Sequence, residues 1–346
     1  TLSDDRRQRQ MCIRDRLSAR REQALAKKGF SWDHWKFVPP EVVPCAICGV
    51  DDADPLYEAD LSPGPIVRCR RCGLVYASPV EIRGLNFSDE DRATMDRLRT
   101  SSDLADLQGS WEETWLQISL DERDTLDRNY AATLDRIADH ATPPGRLLDF
   151  GAGWGFFLAA AQQRGWDVSG IEPTPGHALY AREALGLDVR PDYLHHDTFE
   201  PETFDVITSL QVFEHVEEPA AELAKLFRIL KPGGLLVIEI PSIDSPLVRL
   251  LKSRHRHFVP DHFWYFDKTT LPTFVEAGGF EVLDYSNPAR RLSLLWLTRT
   301  VGKRYTPAAV SSRAEKTIEG SARLSEVEIP VNVLDLGLVI ARKPRD

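Results

Sequence analysis

LLDFGAGWG, residues 147–155, joins an apolar run to an acid and then to three glycines at alternate positions. Arg146 to Phe150 reads as a short buried strand, and Gly151, Gly153 and Gly155 remove Cβ atoms where the backbone must turn sharply and lie against a ligand. Phe156 to Arg164 continues as a helix, so the order is strand, glycine turn, helix, which is that of a nucleotide-binding loop. A dinucleotide fingerprint G-x-G-x-x-G needs its third glycine at position 156, where this chain has Phe156, and that spacing disfavours NAD. Glu172 ends the next apolar run, DVSGI (residues 167–171), where a carboxylate can accept hydrogen bonds from both hydroxyls of a ribose.

The same rhythm extends outward in both directions. Strands are expected at Arg146 to Phe150, Asp167 to Ile171, Leu187 to Arg190, Phe204 to Leu210, Leu235 to Ile240, Phe280 to Tyr285 and Val331 to Arg342. Helices are expected at Phe156 to Arg164, His177 to Leu185, Pro219 to Leu230 and Thr269 to Ala277, the last stopped by Gly278 and Gly279. Five βα repeats followed by two strands imply an α/β fold with a doubly wound, mostly parallel sheet whose final pair has an antiparallel member. Tyr305 to Ile329 is polar and weakly patterned, and reads as a long excursion before the last strand. Upstream, Asp89 to Arg99, Asp103 to Ile118 and Asp121 to His140 carry apolar residues at three-to-four spacing among charges and predict helices.

Three further segments follow the glycine loop in order: FDVITSLQVFEHV (204–216), LAKLFRILKPGGLLVIEIPS (223–242) and DHFWYFDKTTLPTFVEAGGFEV (261–282). Together with the loop and Glu172, they make the chain from about Asn129 onward resemble the class I S-adenosylmethionine-dependent methyltransferases. The resemblance implies a Rossmann-like, seven-stranded sheet and S-adenosylmethionine as cofactor. The last segment is similar to the branch of that family acting on sugars, polysaccharides and secondary metabolites. On this resemblance Asp149 supports the loop or the methionine amino group, Gly151, Gly153 and Gly155 face the cofactor, Glu172 holds the ribose, and Asp192 and Tyr193 lie where the family contacts adenine. A turn residue after Pro191 is an equal reading of Asp192.

Four cysteines form two knuckles, CAICG at 45–49 and CRRCG at 69–73. In each C-x-x-C two thiolates can reach one ion from a tight turn relieved by the following glycine, so Cys45, Cys48, Cys69 and Cys72 are read as a closed tetrahedral shell for a structural zinc ion. Two disulfides or a redox dithiol are the alternatives. About forty residues with few large apolar side chains need such an ion to fold. The domain plan is therefore a tail over 1–37, a zinc ribbon over 38–80, a helical linker or cap over 81–140 and the methyltransferase domain over 141–346. MCIRDR at 11–16 looks like translated sequencing-adapter read-through, so residues 1–16, with Cys12, are set aside from fold reasoning.

With 346 residues, 42% hydrophobic, the chain can bury one full α/β core and a smaller appendage. A formal net charge of −10 argues against a broad grip on nucleic acid. No apolar run reaches bilayer length and no secretory leader is recognised, which makes the cytoplasm the expected location. Oligomeric state is not legible.

Methyl transfer is an in-line displacement from a sulfonium, so alignment supplies most of the catalysis, but a hydroxyl acceptor must still lose a proton. His215, beside Glu214 directly after the fourth strand, is the first candidate base; the pair could equally shape the pocket. His262 is the second candidate, in a long connection from Ser242 to Phe266 whose Arg254 and Arg256 could hold an anionic group. Related sugar C-methyltransferases place a tyrosine shortly before the Glu-His pair, where this chain has Val212 and Phe213. The expected activity is methyl transfer to a small sugar-like or polyhydroxylated acceptor, with oxygen favoured. The alternatives are C-methylation of a nucleotide sugar, an RNA methyltransferase, and a non-catalytic ribbon module binding RNA or protein.

Overall fold

The computed structural model describes residues 35–59, 61–85, 87–302 and 306–345. The segment 1–16 and Cys12 lie outside them. The first strands are β1 (Trp35–Glu41), β2 (Ala53–Tyr57), β3 (Ile66–Cys69), β4 (Val75–Ala77) and β5 (Val80–Leu85). β1 pairs with β5 antiparallel, while β2, β3 and β4 form an antiparallel meander carrying the two knuckles. Gly49 and Gly73 adopt φ of 68° and 83° and donate back to the Cys45 and Cys69 carbonyls, so each closes the turn that a side chain would strain.

Three helices follow: α1 (Asp89–Thr100), α2 (Trp111–Asp121) and α3 (Arg123–Ala138). The single helix expected over Asp103 to Ile118 is broken, because Gly109 sits at φ 76° and the Ser110 hydroxyl accepts from the Glu113 amide to start α2 afresh.

The central sheet is built from β6 (Arg146–Phe150), β7 (Asp167–Ile171), β8 (Asp188–Arg190), β9 (Phe204–Leu210), β10 (Leu230–Pro241), β12 (Glu281–Ser286) and β15 (Leu336–Arg342), with the two-residue β11 (Trp264–Tyr265) lying outside it. Its spatial order is β12-β15-β10-β9-β6-β7-β8. β6 pairs in parallel with β7 on one side and β9 on the other, so the winding reverses at β6 and opens a crevice at the carboxyl ends of β6 and β9. β15 runs antiparallel to both β10 and β12. The expected seven-stranded, Rossmann-like fold is therefore present.

Leu235 to Ile240 of β10 are all buried, as befits an inner strand covered on both faces. Each such aliphatic contributes roughly 1.5–3 kcal/mol of burial. The covering helices include α4 (Phe156–Gln163), α5 (Pro175–Glu183), α6 (Pro219–Ile229) and α7 (Thr270–Ala277). α5 begins at Pro175 rather than His177, since proline at the first position is pre-set for helical φ.

The strand expected over Val331 to Arg342 is split. Asn332 accepts from the Leu334 amide, Leu334 adopts φ 58°, and only from Leu336 does β15 join the sheet. Upstream of that break, β14 (Glu328–Val331) pairs with β13 (Arg290–Ser293) in a separate ribbon. The long excursion before it contains a helix, Ala308–Glu319.

The N-terminal meander is not a free appendage. β11, from the connection after β10, adds to it as a fourth strand, with Trp264 opposite Tyr76 and Tyr265 opposite Val75. Ile66, Leu74 and Tyr76 share one core cluster with Phe213, Phe258, Phe263 and Phe266. Among the described residues no helix is long and apolar enough to cross a membrane.

Candidate nucleotide and acceptor site

A cleft of about 690 Å³ lies beyond the carboxyl ends of β6, β7 and β9. Phe150, Gly151, Ile171 and Pro173 line one half, with Tyr193 and Leu194; Val212, His215, Glu217, Glu218, Asp261 and Phe263 line the other.

β6 stops because Gly151 takes φ 84°, and a Cβ there would fall on the Val212 side chain. Gly153, at φ 52°, has open space where a Cβ would project, and its amide donates to Glu172 Oε2 at 2.8 Å. Glu172 Oε1 accepts from the Thr174 amide at 2.8 Å. The carboxylate thus ties the glycine turn to the end of β7, with a second lone pair on each oxygen left for a diol. Gly155, at φ 79°, has a packing role of its own. Its Cβ position is closed by Leu187 and Ala181, so glycine there lets the start of α4 pack against α5.

Asp149 is buried at the end of β6 and accepts from the Thr208 hydroxyl at 2.6 Å. Burial pushes its carboxyl up to about 7, against the Thr208 bond and helped by the charge of Glu172. Asp192 accepts from the Tyr193 amide and pairs with His195 at 3.4 Å, which fixes the turn. Tyr193, two thirds exposed, is the member of that pair on the cleft wall.

His215 is held by its Nδ1, 2.9 Å from the Asp261 carbonyl and 3.4 Å from the Asp261 carboxylate. A carbonyl can only accept, so Nδ1 carries the proton and Nε2 keeps its lone pair. His262 packs edge-on behind it with ring centroids 4.7 Å apart. Burial, followed by the neighbouring His215, lowers His262 to about 4, and it does not line the cleft. As a proton acceptor it is poorly matched to neutral pH, and His215 is the better placed of the two. Glu214 is fully buried and pushed up to about 7 by that burial. Arg256 is engaged by Asp335 and lies over Trp296, so it is not offered to an anion, and neither it nor Arg254 lines the cleft.

Sequence reasoning missed Glu112. It reads as a surface acid of α2, yet it is fully buried against Gly176 at the start of α5, where any Cβ would fall on its carboxylate. Neither oxygen has a hydrogen bond of normal geometry, and burial raises it to about 7. The Glu239–Arg290 pair beside Gln211 was also missed, because it joins β10 to a strand that only the fold brings near.

At the knuckles the Cys45 and Cys72 sulfurs are 3.3 Å apart and those of Cys48 and Cys69 3.5 Å, with all four within 4.8 Å of one another. A tetrahedral zinc shell with Zn–S bonds of about 2.3 Å has edges of roughly 3.8 Å, so the four thiols fit such an ion. Arg70, within the second knuckle, is occupied by Asp52 and Asp54 rather than held free for a nucleic acid.

Comparison with known proteins agrees with this geometry. Residues 122–285 match a methyltransferase-domain family. An uncharacterized methyltransferase of Mycobacterium sp. (strain JLS) is 40% identical over 110 residues, covering 31% of this chain and 43% of the relative. A ubiquinone biosynthesis O-methyltransferase of Saccharophagus degradans is 30% identical over 156 residues, or 43% of this chain and 61% of the relative. A demethylmenaquinone methyltransferase of Clavibacter sepedonicus is 30% identical over 166 residues, or 41% of this chain and 68% of the relative. The chain thus spans less than two thirds of the first two relatives' own length.

Proposed function

The chain belongs to the class I S-adenosylmethionine-dependent methyltransferases, and from that premise we propose that it transfers a methyl group to an oxygen of a small, uncharged, polyhydroxylated ring. The observation that carries this reading is the cleft itself: a glycine turn tied to Glu172 on one side and His215 with an unprotonated Nε2 on the other.

Bound S-adenosylmethionine would supply an electrophilic methyl on a sulfonium. Gly153 leaves room for its backbone approach, Glu172 would accept from the ribose hydroxyls, and Tyr193 and Leu194 would flank the base. Asp149 would sit below the amino group. His215 Nε2 is placed to draw the proton from an acceptor hydroxyl, with Asp261 holding the ring. Val212, Val216 and Phe263 make the acceptor side largely apolar, while Glu217 and Glu218 make its rim acidic.

That rim bears on substrate class. Among the described residues no Lys or Arg lines the cleft, and the diphosphate of a nucleotide sugar would face carboxylates. An uncharged sugar-like polyol fits better. A dihydroxylated aromatic ring is the second reading, favoured by the apolar wall and by the quinone-pathway names of two relatives. We further propose that the four thiols hold a structural zinc ion, which suits a reducing compartment such as the cytoplasm.

Calorimetry with S-adenosylhomocysteine tests the cofactor half, with micromolar affinity at pH 8 as the expected result. Asp149 adds a sign. Its carboxyl titrates near 7 in the free protein, and an ammonium beside it favours the ionised form. Affinity is therefore full above pH 7 and falls as pH drops through it, by up to about tenfold per unit. No binding by folded protein at any pH rejects the reading; a flat profile from pH 8 to 5.5 rejects the role of Asp149. Labelled methyl transfer to polyols and dihydroxybenzenes then separates the two acceptor classes.

A further inference from the structure

Glu214, His215 and His262 bring three ligand atoms within 4.8 Å of one another. Two elements far apart in sequence meet to do this. The turn after β9 supplies Glu214 and His215, and the connection leading into β11 supplies His262. They are clamped by the Phe263 amide donating to the Glu214 carbonyl at 2.8 Å and by the Trp264 indole donating to the Val216 carbonyl at 2.6 Å.

Each donor is left with an electron pair facing the others. Glu214 is 1% exposed, and its Oε2 has no hydrogen-bond partner. His262 Nδ1 is likewise buried without a partner, while the ring bonds to the His257 backbone. His215 has its proton on Nδ1, toward Asp261, leaving Nε2 4.0 Å from Glu214 Oε1. A buried carboxylate oxygen and a buried imidazole nitrogen, both unpartnered in one small space, are costly unless something else enters. An imidazole whose other nitrogen is fixed by a carbonyl and a carboxylate is the usual setting of a metal-ligating histidine.

We propose that Glu214 Oε2, His215 Nε2 and His262 Nδ1 form a binding site for a divalent first-row transition cation, behind the acceptor wall of the cleft, which it meets at His215, and separate from the four-thiol site. Two imidazoles and one carboxylate suit such ions, and three protein donors leave positions open in an octahedral shell. Bonds near 2.1 Å require donor separations of roughly 3 Å, so the side chains must draw together by up to about 2 Å on loading. The acidic surroundings, Asp261 and Glu217, favour a cation there.

This deepens, and rests on, the methyl-transfer reading. With the site empty, His215 Nε2 is the base as above; with the ion bound, that lone pair would ligate it and the ion would lower the pKa of the acceptor hydroxyl instead. An acceptor hydroxyl bound at an open position loses its proton to solvent at neutral pH. Its oxygen pair forms the new O–C bond while the C–S bond breaks with its electrons going to sulfur. Two adjacent oxygens on one ring would occupy two open positions together, which selects vicinal diols.

The test uses full-length protein already loaded with zinc at the thiols. Mn²⁺ titration followed by electron paramagnetic resonance should show one additional ion per chain, with echo modulation from two imidazole nitrogens. Glu214→Gln, nearly isosteric, and His262→Ala should each weaken Mn²⁺ binding at least tenfold. S-adenosylhomocysteine affinity, measured on the same samples, should stay unchanged and certifies that the variants are folded. Absence of bound Mn²⁺, binding without nitrogen coupling, or binding indifferent to Glu214→Gln overturns the proposal. Should the homologue also fail to bind wild-type protein, the methyltransferase reading fails instead, so the two failures are told apart.

Discussion

Glu172→Ala is expected to weaken S-adenosylhomocysteine binding by about 10²- to 10³-fold while leaving the sheet folded. Two effects add in one direction. The carboxylate would hold the ribose diol, and charge-assisted hydrogen bonds are worth about 1.5–3 kcal/mol each. It also accepts from the amides of Gly153 and Thr174, so its removal leaves the glycine turn without its tether to β7. Gly153 at φ 52° is then free to leave the geometry that keeps a ligand-sized space open beside it. Glu172→Gln keeps one carbonyl acceptor but turns an amide group toward a backbone N–H, and should fall in between, near tenfold. Gly155→Ala is the control for general damage. Its new methyl meets Leu187 and Ala181, so it should lower the melting temperature more than the affinity. Calorimetry on the three variants decides the matter. An alanine variant that binds within about threefold of wild type would mean that Glu172 serves the loop alone and that the nucleoside does not sit here.

What could be read from sequence follows from how local each cause is. β6 and β7 lie at the expected residues because a buried inner strand is a continuous apolar run ended by a glycine or an acid, all within five residues. The knuckles were legible for the same reason: thiol, turn and glycine are contiguous. The packing role of Gly155 was hidden because a glycine that admits a ligand and one that admits a neighbouring helix leave the same letter. The separating facts, Leu187 and Ala181, lie about thirty residues on. Glu112 escaped because nothing near it in the chain says that Gly176 will make room for it. The split of Val331 to Arg342 turned on Asn332 capping a left-handed Leu334, a turn hidden inside an otherwise strand-like composition. Least legible of all was β11. Two residues, Trp264 and Tyr265, complete a sheet begun more than two hundred residues earlier, and no local pattern carries that pairing.

That pairing sets the second large effect. Replacing one ligand of the proposed ribbon ion, in Cys72→Ser, should abolish methyl transfer to the acceptor yet leave S-adenosylhomocysteine affinity within about threefold. A structural zinc ion contributes roughly 10–16 kcal/mol in small zinc-folded peptides; although the meander shares a core cluster with Phe213 and Phe263, β3 and β4 are joined through the second knuckle, and loss of the ion should loosen that junction. When β3 and β4 come apart, β11 loses its partner: Tyr76 no longer stacks on Trp264 at 5.7 Å, and the Ala77 amide no longer donates to the Phe263 carbonyl. Phe263 and Asp261 line the acceptor half of the cleft, and His262 lies between them, so that wall should loosen as a unit. Gly151, Gly153 and Glu172 hang instead on β6 and β7, inside the central sheet, and need no help from the meander. The checks are zinc at the thiols, expected at one ion per chain in the parent protein and lost in Cys72→Ser; protease cleavage between residues 45 and 77, expected only in the variant; and calorimetry beside a transfer assay. Protein that purifies without metal and transfers methyl groups at full rate would remove the ribbon ion from the account. Loss of cofactor affinity in parallel with transfer would show instead that the meander supports the whole crevice rather than its acceptor wall.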